Sequence, residues 1–178
     1  MNKQELRQLI KQRQAHFDPD MKQKADIVIQ DRLWTLISGF KSIGIYQSMN
    51  DEVDTSRIIK LILASNMTLS SGRCLDLQNM EFAKVSSLDN LKPGVLNILE
   101  PTEEMIAIDD IEVLVIPMVA YDQDRNRLGH GKGYYDRYLK NFKGLKIGIA
   151  YQYQEVTKII KEKHDIPMDI IVNENKII

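Results

Sequence analysis

Cysteine is nearly absent from this sequence, since Cys74 is the only one among 178 residues. One thiol cannot form an intramolecular disulfide, so the chain falls outside the class of small disulfide-stabilised domains, and a reducing compartment is indicated. His, Cys and carboxylate residues nowhere group with the spacing of a zinc site. A chain of this length buries a sufficient core without such cross-links, and we expect Cys74 to serve as a small buried hydrophobe.

The sequence also lacks an excess of charge of either sign. Its 24 Lys and Arg residues nearly balance its 25 Asp and Glu residues, and the formal net charge is −1. A general nucleic-acid-binding protein needs clustered positive charge to replace the counterions of the phosphates, so no nucleic-acid partner is expected. A local basic site for a small anionic ligand is compatible with this balance.

Long apolar runs are absent too. No run approaches the ~20 residues that cross a membrane, and Met1–Arg7 lacks the apolar core of a signal peptide. We therefore expect a cytoplasmic protein with no membrane partner. No internal repeat, low-complexity segment or Gly/Ser-rich linker divides the chain, which predicts a single domain over residues 1–178. We expect this domain to be a monomer.

Hydrophobic periodicity predicts helices at the start of the chain. Apolar side chains recur at helical spacing through the first 37 residues, with an interruption at Phe17–Asp20. The Asp and Pro of that interruption are typical of a helix start, so two antiparallel helices are predicted. Ser42–Tyr46 and Met67–Ser70 are predicted to be strands, and Asp54 or Thr55 is predicted to cap the helix between them.

Three apolar runs in the second half predict buried strands. Glu112–Pro117 is the clearest, and Lys146–Ala150 and Ile170–Val172 repeat the signature. Such runs are typical of strands that are covered on both faces in a parallel sheet. With a helix predicted over Gly133–Lys140, the pattern predicts an α/β fold, with a mainly parallel central sheet flanked by helices in a Rossmann-like three-layer arrangement. Ser71–Asp110 has no regular pattern.

The segment Arg127–Arg137 carries the features of an anion site. Its three glycines, Gly129, Gly131 and Gly133, allow the backbone to turn sharply and to bring its N–H groups close to a ligand. The predicted helix that follows adds free N–H donors, and Lys132 adds a mobile positive charge. The spacing is neither that of a Walker loop nor that of the dinucleotide fingerprint. The segment therefore predicts a phosphate site, and the alternative is a glycine-rich surface turn with solvated basic side chains.

The surrounding residues resemble the signature of the 5-formyltetrahydrofolate cyclo-ligase family, also called methenyltetrahydrofolate synthetase. The core of the resemblance is formed by Ile116–Pro117, Tyr121–Asp122, Arg127–Gly129 and Gly131–Asp136. Three further segments are similar at the corresponding places, namely Lys3–Arg7, Tyr46–Thr55 and His164–Asp169. The chain departs from the family at Leu96, where an aromatic residue is usual, and near Arg73, where the usual Pro-Arg pair does not align.

The resemblance implies an ATP-dependent enzyme of folate metabolism. The reaction of the family converts 5-formyltetrahydrofolate and ATP to 5,10-methenyltetrahydrofolate, ADP and phosphate, with phosphorylation of the formyl oxygen and attack by N10. The implied partners are these two small molecules, and the implied cofactors are ATP as co-substrate and Mg²⁺. Positioning and charge neutralisation are the main catalytic tasks in phosphoryl transfer.

The resemblance assigns the nucleotide site to the glycine segment and the first helix. Lys132 is implied to be catalytic, by neutralising charge on the transferring γ-phosphoryl group. Lys3 and Arg7 lie four residues apart on one helix face and can both reach one phosphate chain, although exposed basic residues on a first helix are ordinarily solvated. The implied ATP-binding residues are Lys3, Arg7, Arg127, Leu128, Gly129, His130, Gly131, Lys132, Gly133, Tyr134 and Tyr135.

The resemblance places the folate against Tyr46–Thr55 and the same glycine segment. Glu52 is implied to bind the pterin or formyl end, and its ordinary alternative is a surface acid near a helix cap. Tyr134 and Tyr135 are expected to contact the folate ring or the nucleotide, while at least one of them packs in the core. His130 is expected to contact phosphate rather than to transfer a proton. The implied substrate-binding residues are Gln47, Glu52, His130, Gly131, Lys132, Gly133 and Tyr134.

Asp136 and Asp169 are implied to hold Mg²⁺, which prefers carboxylates, phosphates and water. Without the resemblance, Asp136 is equally explained as a favourable charge in the first turn of a helix. Asp169 precedes a predicted strand and is equally explained as a turn residue.

Two other functions fit the glycine segment without the resemblance. An isomerase or transferase with a similar sheet would hold a substrate phosphate there and would use no ATP. A non-catalytic sensor would bind a phosphorylated metabolite and be stabilised without turnover. The carboxylates at Asp136 and Asp169 disfavour the sensor, because phosphate capture gains nothing from added negative charge unless a metal intervenes.

Overall fold

A computed structural model of the chain describes residues 1–94 and 97–178. The helices are α1 (Lys3–Gln14), α2 (Pro19–Ile37), α3 (Ser56–Leu63) and α4 (Tyr134–Leu139). The strands are β1 (Ser42–Ile45), β2 (Thr68–Cys74), β3 (Met80–Lys84), β4 (Leu91–Pro93), β5 (Leu99–Pro101), β6 (Val113–Pro117), β7 (Ala120–Tyr121), β8 (Arg127–Leu128), β9 (Leu145–Ile149) and β10 (Ile170–Val172). The unusual residue at Leu96 lies outside the described residues.

The centre of the fold is a six-stranded sheet with the order β10-β9-β6-β1-β2-β3. All neighbouring strands in it run parallel except β3, which pairs antiparallel with β2 at the edge. The predicted mainly parallel α/β sheet is therefore confirmed. The antiparallel edge strand and the small hairpins β4–β5 and β7–β8 were not predicted from the sequence.

The apolar run of β6 explains why this strand is central. Every residue of β6 is buried, and parallel neighbours flank it on both sides. Val113 and Val115 belong to a core cluster that includes residues of α2 and α3, whereas Leu114 and Ile116 belong to a second cluster that includes Leu139 of α4. Successive side chains of a strand point to opposite faces, so the sheet has a helix-covered core on each face. The three-layer prediction is confirmed.

The helix starts follow the predicted signals. Asp18 caps α2 by accepting hydrogen bonds from the N–H groups of Asp20 and Met21, and Pro19 follows at the first helical position, where its missing N–H is not needed. At the start of α3 the predicted cap is Asp54, whose Oδ1 accepts a hydrogen bond from the Ser56 N–H at 3.0 Å. The Thr55 hydroxyl makes no cap and donates instead to the carbonyl of Tyr46. Among the described helices, none has the length and apolar character needed to span a membrane.

Candidate functional site

A cavity of about 570 Å³ lies at the carboxyl end of the sheet. Its walls come from the segment after β1, from Pro117 at the end of β6, from the glycine segment, from the start of α1 and from a stretch near Asp165. The structure therefore brings together residues that are far apart in sequence, at the edge where parallel sheets bind ligands.

The glycine segment has the backbone conformation that its composition predicts. Gly131 has φ 101° and Gly133 has φ 71°, both in the left-handed region that favours glycine. A Cβ at Gly131 would also lie 3.3 Å from Nη2 of Arg7. Gly133 is the residue from which α4 begins. Lys132, between these two glycines, is exposed at the cavity, and its catalytic role stays a prediction.

Arg127 lines the cavity but is held tightly by the protein. Its side chain is 4% exposed. Nη1 donates to the carbonyl of Pro117 at 3.1 Å, and Nη2 donates to Oδ2 of Asp136 at 3.2 Å. The guanidinium lies 5.4 Å from the ring centre of Tyr135. Arg127 therefore connects the end of β6 to the start of α4, and it shapes the glycine segment whether or not it also touches a ligand.

The next residue, Leu128, is buried in a small apolar cluster with Leu6 and Ile10 of α1. Its side chain therefore packs in the protein interior, so only its backbone can serve the predicted nucleotide contact.

Lys3 and Arg7 both line the cavity, as the helical spacing predicts. Lys3 Nζ lies 2.7 Å from Oδ2 of Asp165 and 3.2 Å from Oε2 of Glu162. Burial lowers the pKa of Lys3, but the hydrogen bonds and charges of Asp165 and Glu162 outweigh this effect and raise its pKa overall. Arg7 Nε donates to the carbonyl of Gly129 at 2.9 Å, which ties α1 to the glycine segment.

Glu52 and His130 form a polar pair across the cavity. The Glu52 side chain is only 8% exposed. Its Oε2 accepts a hydrogen bond from the Met49 N–H at 2.9 Å, and its Oε1 lies 3.4 Å from Nε2 of His130. Glu52 is therefore a largely buried carboxylate facing a basic group, and the explanation as an ordinary surface acid does not fit its placement.

The hydrogen bond and charge of Glu52 raise the pKa of His130, against the opposing effect of burial. We expect a titration of His130 followed by NMR to give a pKa above the ordinary 6.5. A raised pKa means that the pair stabilises the fold below pH ~6.5 and that this contribution is lost as the pH rises through the folded-state pKa. In Glu52→Gln the pKa of His130 should fall towards its ordinary value. An unchanged pKa in that variant would contradict the pairing.

The two tyrosines and Gln47 all line the cavity. Tyr135 packs against the core cluster on the α4 face of the sheet, and burial raises its pKa. This bears out the expectation that at least one of the two tyrosines packs in the core. The Tyr134 hydroxyl donates to the carbonyl of Asp76 at 2.9 Å. Gln47 Nε2 donates to the Ser71 hydroxyl at 2.8 Å, which holds its amide beside β2.

The two predicted metal ligands do not lie together. Asp136 lines the cavity, where Oδ2 faces Arg127 and Oδ1 lies 3.5 Å from the Ile166 N–H. Asp169 is not part of the cavity wall. Its Oδ2 accepts from the N–H of Lys146 at 2.8 Å and pairs with Lys146 Nζ at 2.8 Å. Since Asp169 precedes β10, it lies at the amino end of the sheet, away from the cavity, so the structure does not bring the two carboxylates together as predicted. The metal role of Asp136 stays a prediction.

Several cavity residues were missed by sequence reasoning. Glu162 and Asp165 are two of them. The sequence could have indicated Asp165, because it belongs to the acidic segment that includes Asp169, but it gave no reason to prefer one Asp over the other. Lys3 already compensates this acidic group. Cys74 is half-buried in the cavity wall and is not the fully buried residue that we predicted.

Arg73 also lines the cavity, but its guanidinium is bound by other groups of the protein. It pairs with Glu81 at 2.6 Å and donates to the carbonyls of Pro101 and Glu103. It therefore contributes the shape of the wall rather than a free charge.

Known proteins resemble this chain over nearly its whole length. The profile of the 5-formyltetrahydrofolate cyclo-ligase family matches residues 1–174. The 5-formyltetrahydrofolate cyclo-ligase of Haemophilus influenzae is 27% identical over 96% of this chain and 97% of its own length, and that of Saccharomyces cerevisiae is 30% identical over 96% of this chain and 94% of its own. The solved structure of Aquifex aeolicus 5,10-methenyltetrahydrofolate synthetase is 29% identical, covers 99% of this chain and 92% of its own, and superposes with a TM-score of 0.89.

Proposed function

Because this chain belongs to the 5-formyltetrahydrofolate cyclo-ligase family, we propose that its cavity carries out the ATP-dependent conversion of 5-formyltetrahydrofolate to 5,10-methenyltetrahydrofolate, with release of ADP and phosphate. The observation that carries the proposal is the left-handed backbone at Gly131 and Gly133, beside Lys132, at the carboxyl end of the sheet. Such a turn presents N–H groups and positive charge to a phosphate chain.

The chemistry explains why ATP is consumed. The N5-formyl group is an amide, and its oxygen is a poor leaving group. Transfer of the γ-phosphoryl group to that oxygen turns it into a phosphate ester, and attack by N10 on the formyl carbon then expels phosphate and closes the new ring. The protein has to align the formyl oxygen with the phosphoryl group and to neutralise the charge that develops.

The nucleotide end of the cavity is proposed to lie between α1 and the glycine segment. The backbone of residues 129–133 receives the phosphates, Lys132 neutralises the transferring group, and Lys3 and Arg7 contact the chain from α1. Arg127, Leu128, Tyr134 and Tyr135 complete this end of the cavity, and Arg127 acts mainly through its hold on Asp136 and Tyr135. All these residues line the same cavity, which supports the proposal.

The folate end is proposed to lie against the segment that follows β1. Glu52 is placed to hold the pterin or formyl end, with Gln47 beside it in the same wall. His130 pairs with Glu52 and belongs to the glycine segment that is proposed to receive the phosphates, so we expect it to contact both substrates where they meet. A largely buried carboxylate beside a basic group is suited to a fixed hydrogen-bonding role, because the Glu52 carboxylate is not free to move into solvent.

Mg²⁺ fits at Asp136, whose carboxylate would be a ligand supplied by the protein. Mg²⁺ is commonly held by one or two carboxylates with the remaining positions filled by phosphates and water. Oδ2 of Asp136 faces Arg127, and within residues 1–94 and 97–178 Oδ1 has only the long 3.5 Å contact with the Ile166 N–H. Oδ1 is therefore suitable as a ligand. When bound, Mg²⁺ supplies charge neutralisation to the phosphates.

One assay tests the proposed function. The purified protein is incubated with 5-formyltetrahydrofolate, ATP and Mg²⁺, and the methenyl product is followed by its near-ultraviolet absorbance. Product should form only when all three are present, and ADP should appear in equal amount. Formation of product without ATP, or ATP hydrolysis that is independent of the folate, would refute the proposal.

Two further expectations remain proposals, namely that the protein is a monomer and that it is cytoplasmic. Sedimentation of the protein with both substrates present tests the first, and fractionation of the source cells tests the second.

Arg7→Met is expected to raise the KM for ATP about 10-fold, because one charge-assisted contact to phosphate is lost. The KM for 5-formyltetrahydrofolate should stay within twofold of that of the unchanged protein. Arg13→Met is the matched control, since Arg13 lies on the same helix but donates to the carbonyls of Tyr153 and Glu155, away from the cavity. Equal effects of the two substitutions would contradict the assignment.

A further inference from the structure

A buried polar network lies behind the segment that carries Glu52. We call residues 46–55 the folate loop. Tyr151 and Asp26 are nearly inaccessible, with 1% and 7% of their surface exposed, and neither lines the cavity. The Tyr151 hydroxyl lies 2.6 Å from Oδ1 of Asp26 and 3.0 Å from the carbonyl oxygen of Glu52. A nearly buried carboxylate and hydroxyl therefore contact the loop from outside the cavity.

The network holds the loop at two backbone groups, the carbonyl of Glu52 and the N–H of Asp54. Oδ1 of Asp26 also accepts the Asp54 N–H at 3.0 Å. The Tyr151 hydroxyl has one proton for two acceptors, so it is shared between Asp26 and the carbonyl of Glu52. Lys22 Nζ pairs with Oδ2 of Asp26 at 2.8 Å and compensates its charge. Because each buried group is partnered, the network orders the loop instead of weakening the core.

The strand order shows why this link matters. Tyr151 follows β9, whereas the folate loop follows β1, and β6 lies between these two strands. The Tyr151 hydroxyl thus spans the carboxyl end of β6 to reach the loop. Within the loop, the Glu52 N–H donates to Met49 O at 3.1 Å and the Met49 N–H donates to Oε2 of Glu52 at 2.9 Å. The position of the Glu52 backbone therefore determines where its carboxylate meets His130.

We propose that Tyr151 and Asp26 are positioning residues, which fix the folate loop so that the Glu52 carboxylate faces His130 and the folate end of the cavity. The consequence for catalysis rests on the proposed function, because it requires that Glu52 binds the folate. The positioning itself concerns the protein without ligand. The two parts can therefore be tested by separate measurements.

Tyr151→Phe removes one hydroxyl and keeps the ring. The centre of this ring lies 4.9 Å from the ring centre of Phe17 and 5.6 Å from that of Tyr153. In the ligand-free protein the pKa of His130, read by NMR, should fall towards 6.5, because Glu52 is no longer held against it. The other charges near His130 are Asp51 and Arg127, and neither is altered. Asp26→Asn, which keeps the shape of the side chain, should shift the pKa of His130 in the same direction.

Turnover provides the second measurement. The KM for 5-formyltetrahydrofolate should rise about 10-fold in Tyr151→Phe, which corresponds to the loss of one well-placed hydrogen bond. The KM for ATP should change by less than twofold. A substitution that merely loosened the fold would affect both substrates.

Tyr153→Phe is the matched control. It makes the same chemical change in the same aromatic group, and no hydrogen bond of the Tyr153 hydroxyl is found within residues 1–94 and 97–178. The inference is overturned if His130 titrates unchanged in Tyr151→Phe, or if Tyr153→Phe shifts it equally. If the pKa of His130 falls while the KM for the folate is unchanged, the positioning stands and the proposed folate role of Glu52 fails.

Discussion

Replacing Lys132 by Met should lower kcat about 100-fold while leaving the free energy of unfolding unchanged. A donor or positive charge that acts on developing negative charge in the transition state is worth about 10²–10³ in rate. Lys132 is exposed and lies between two glycines whose conformation does not depend on its side chain. The loss should therefore appear in kcat under saturating ATP and folate, with a smaller change in the affinity for ATP.

Lys143→Met is the control for this prediction. The Lys143 side chain is 86% exposed, and its nearest carboxylate, on Asp109, lies 4.0 Å away. Such exposed ion pairs contribute little, so the control removes the same charge from the surface without touching the cavity. A kcat for Lys132→Met within threefold of that for the control would rule out the catalytic role.

The second large effect is expected on stability. Asp136→Ala leaves the guanidinium of Arg127 nearly buried and without its carboxylate partner, 4% of the side chain being exposed. Breaking a buried ion pair by removing one partner costs about 3 kcal/mol or more. With a slope of about 2 kcal/mol per molar urea, the midpoint of unfolding should fall by about 1.5 M. Urea unfolding followed by circular dichroism measures this shift.

The double variant Arg127→Met with Asp136→Ala shows whether the loss of stability comes from the unpaired charge of the buried Arg127. Once both charges are gone, part of the lost stability should return, because no unpaired charge remains. Asp109→Ala is the control on an exposed carboxylate and should leave the midpoint in place.

Asp136→Asn keeps a polar partner for Arg127, so it is the better variant for measuring the dependence of turnover on Mg²⁺, which should weaken. Full Mg²⁺ dependence in that variant would contradict the metal role.

The centre of the sheet could be predicted from the sequence because its strands there are mainly apolar. β6 and β10 stand out as runs of Val, Ile and Leu, and β9 places Leu and Ile around Lys146 and Gly148. Such composition is typical of strands that are covered on both faces in a parallel sheet. β3 could not be predicted in the same way. It is an edge strand over Met80–Lys84, where charged and apolar residues mix, and its pairing depends on a partner strand that the local pattern does not identify.

The cavity was predictable only where local backbone chemistry defines it. Gly131 and Gly133 predict a backbone with positive φ, since few other residues adopt that conformation. Arg127 and Asp136 were assigned to ligands because they lie in the right segment, but their mutual pairing depends on how α4 packs. The contact between Asp26 and Tyr151 joins residues 125 positions apart. The sequence contains one indication of this contact, because Asp26 occupies a buried position of α2 where an apolar residue is usual. The sequence does not show which residue is its partner.

The anchoring of α1 has a consequence for the lifetime of the protein in a cell. Only Leu6 and Ile10 of α1 are buried, in a small cluster apart from the two main cores. Segments with so little apolar contact detach first in local unfolding. On the proposed placement of ATP, a bound nucleotide joins this helix to the glycine segment. Binding of the nucleotide and detachment of α1 are then thermodynamically coupled. A fall in cellular ATP would then expose the first helix to proteases before the rest of the fold.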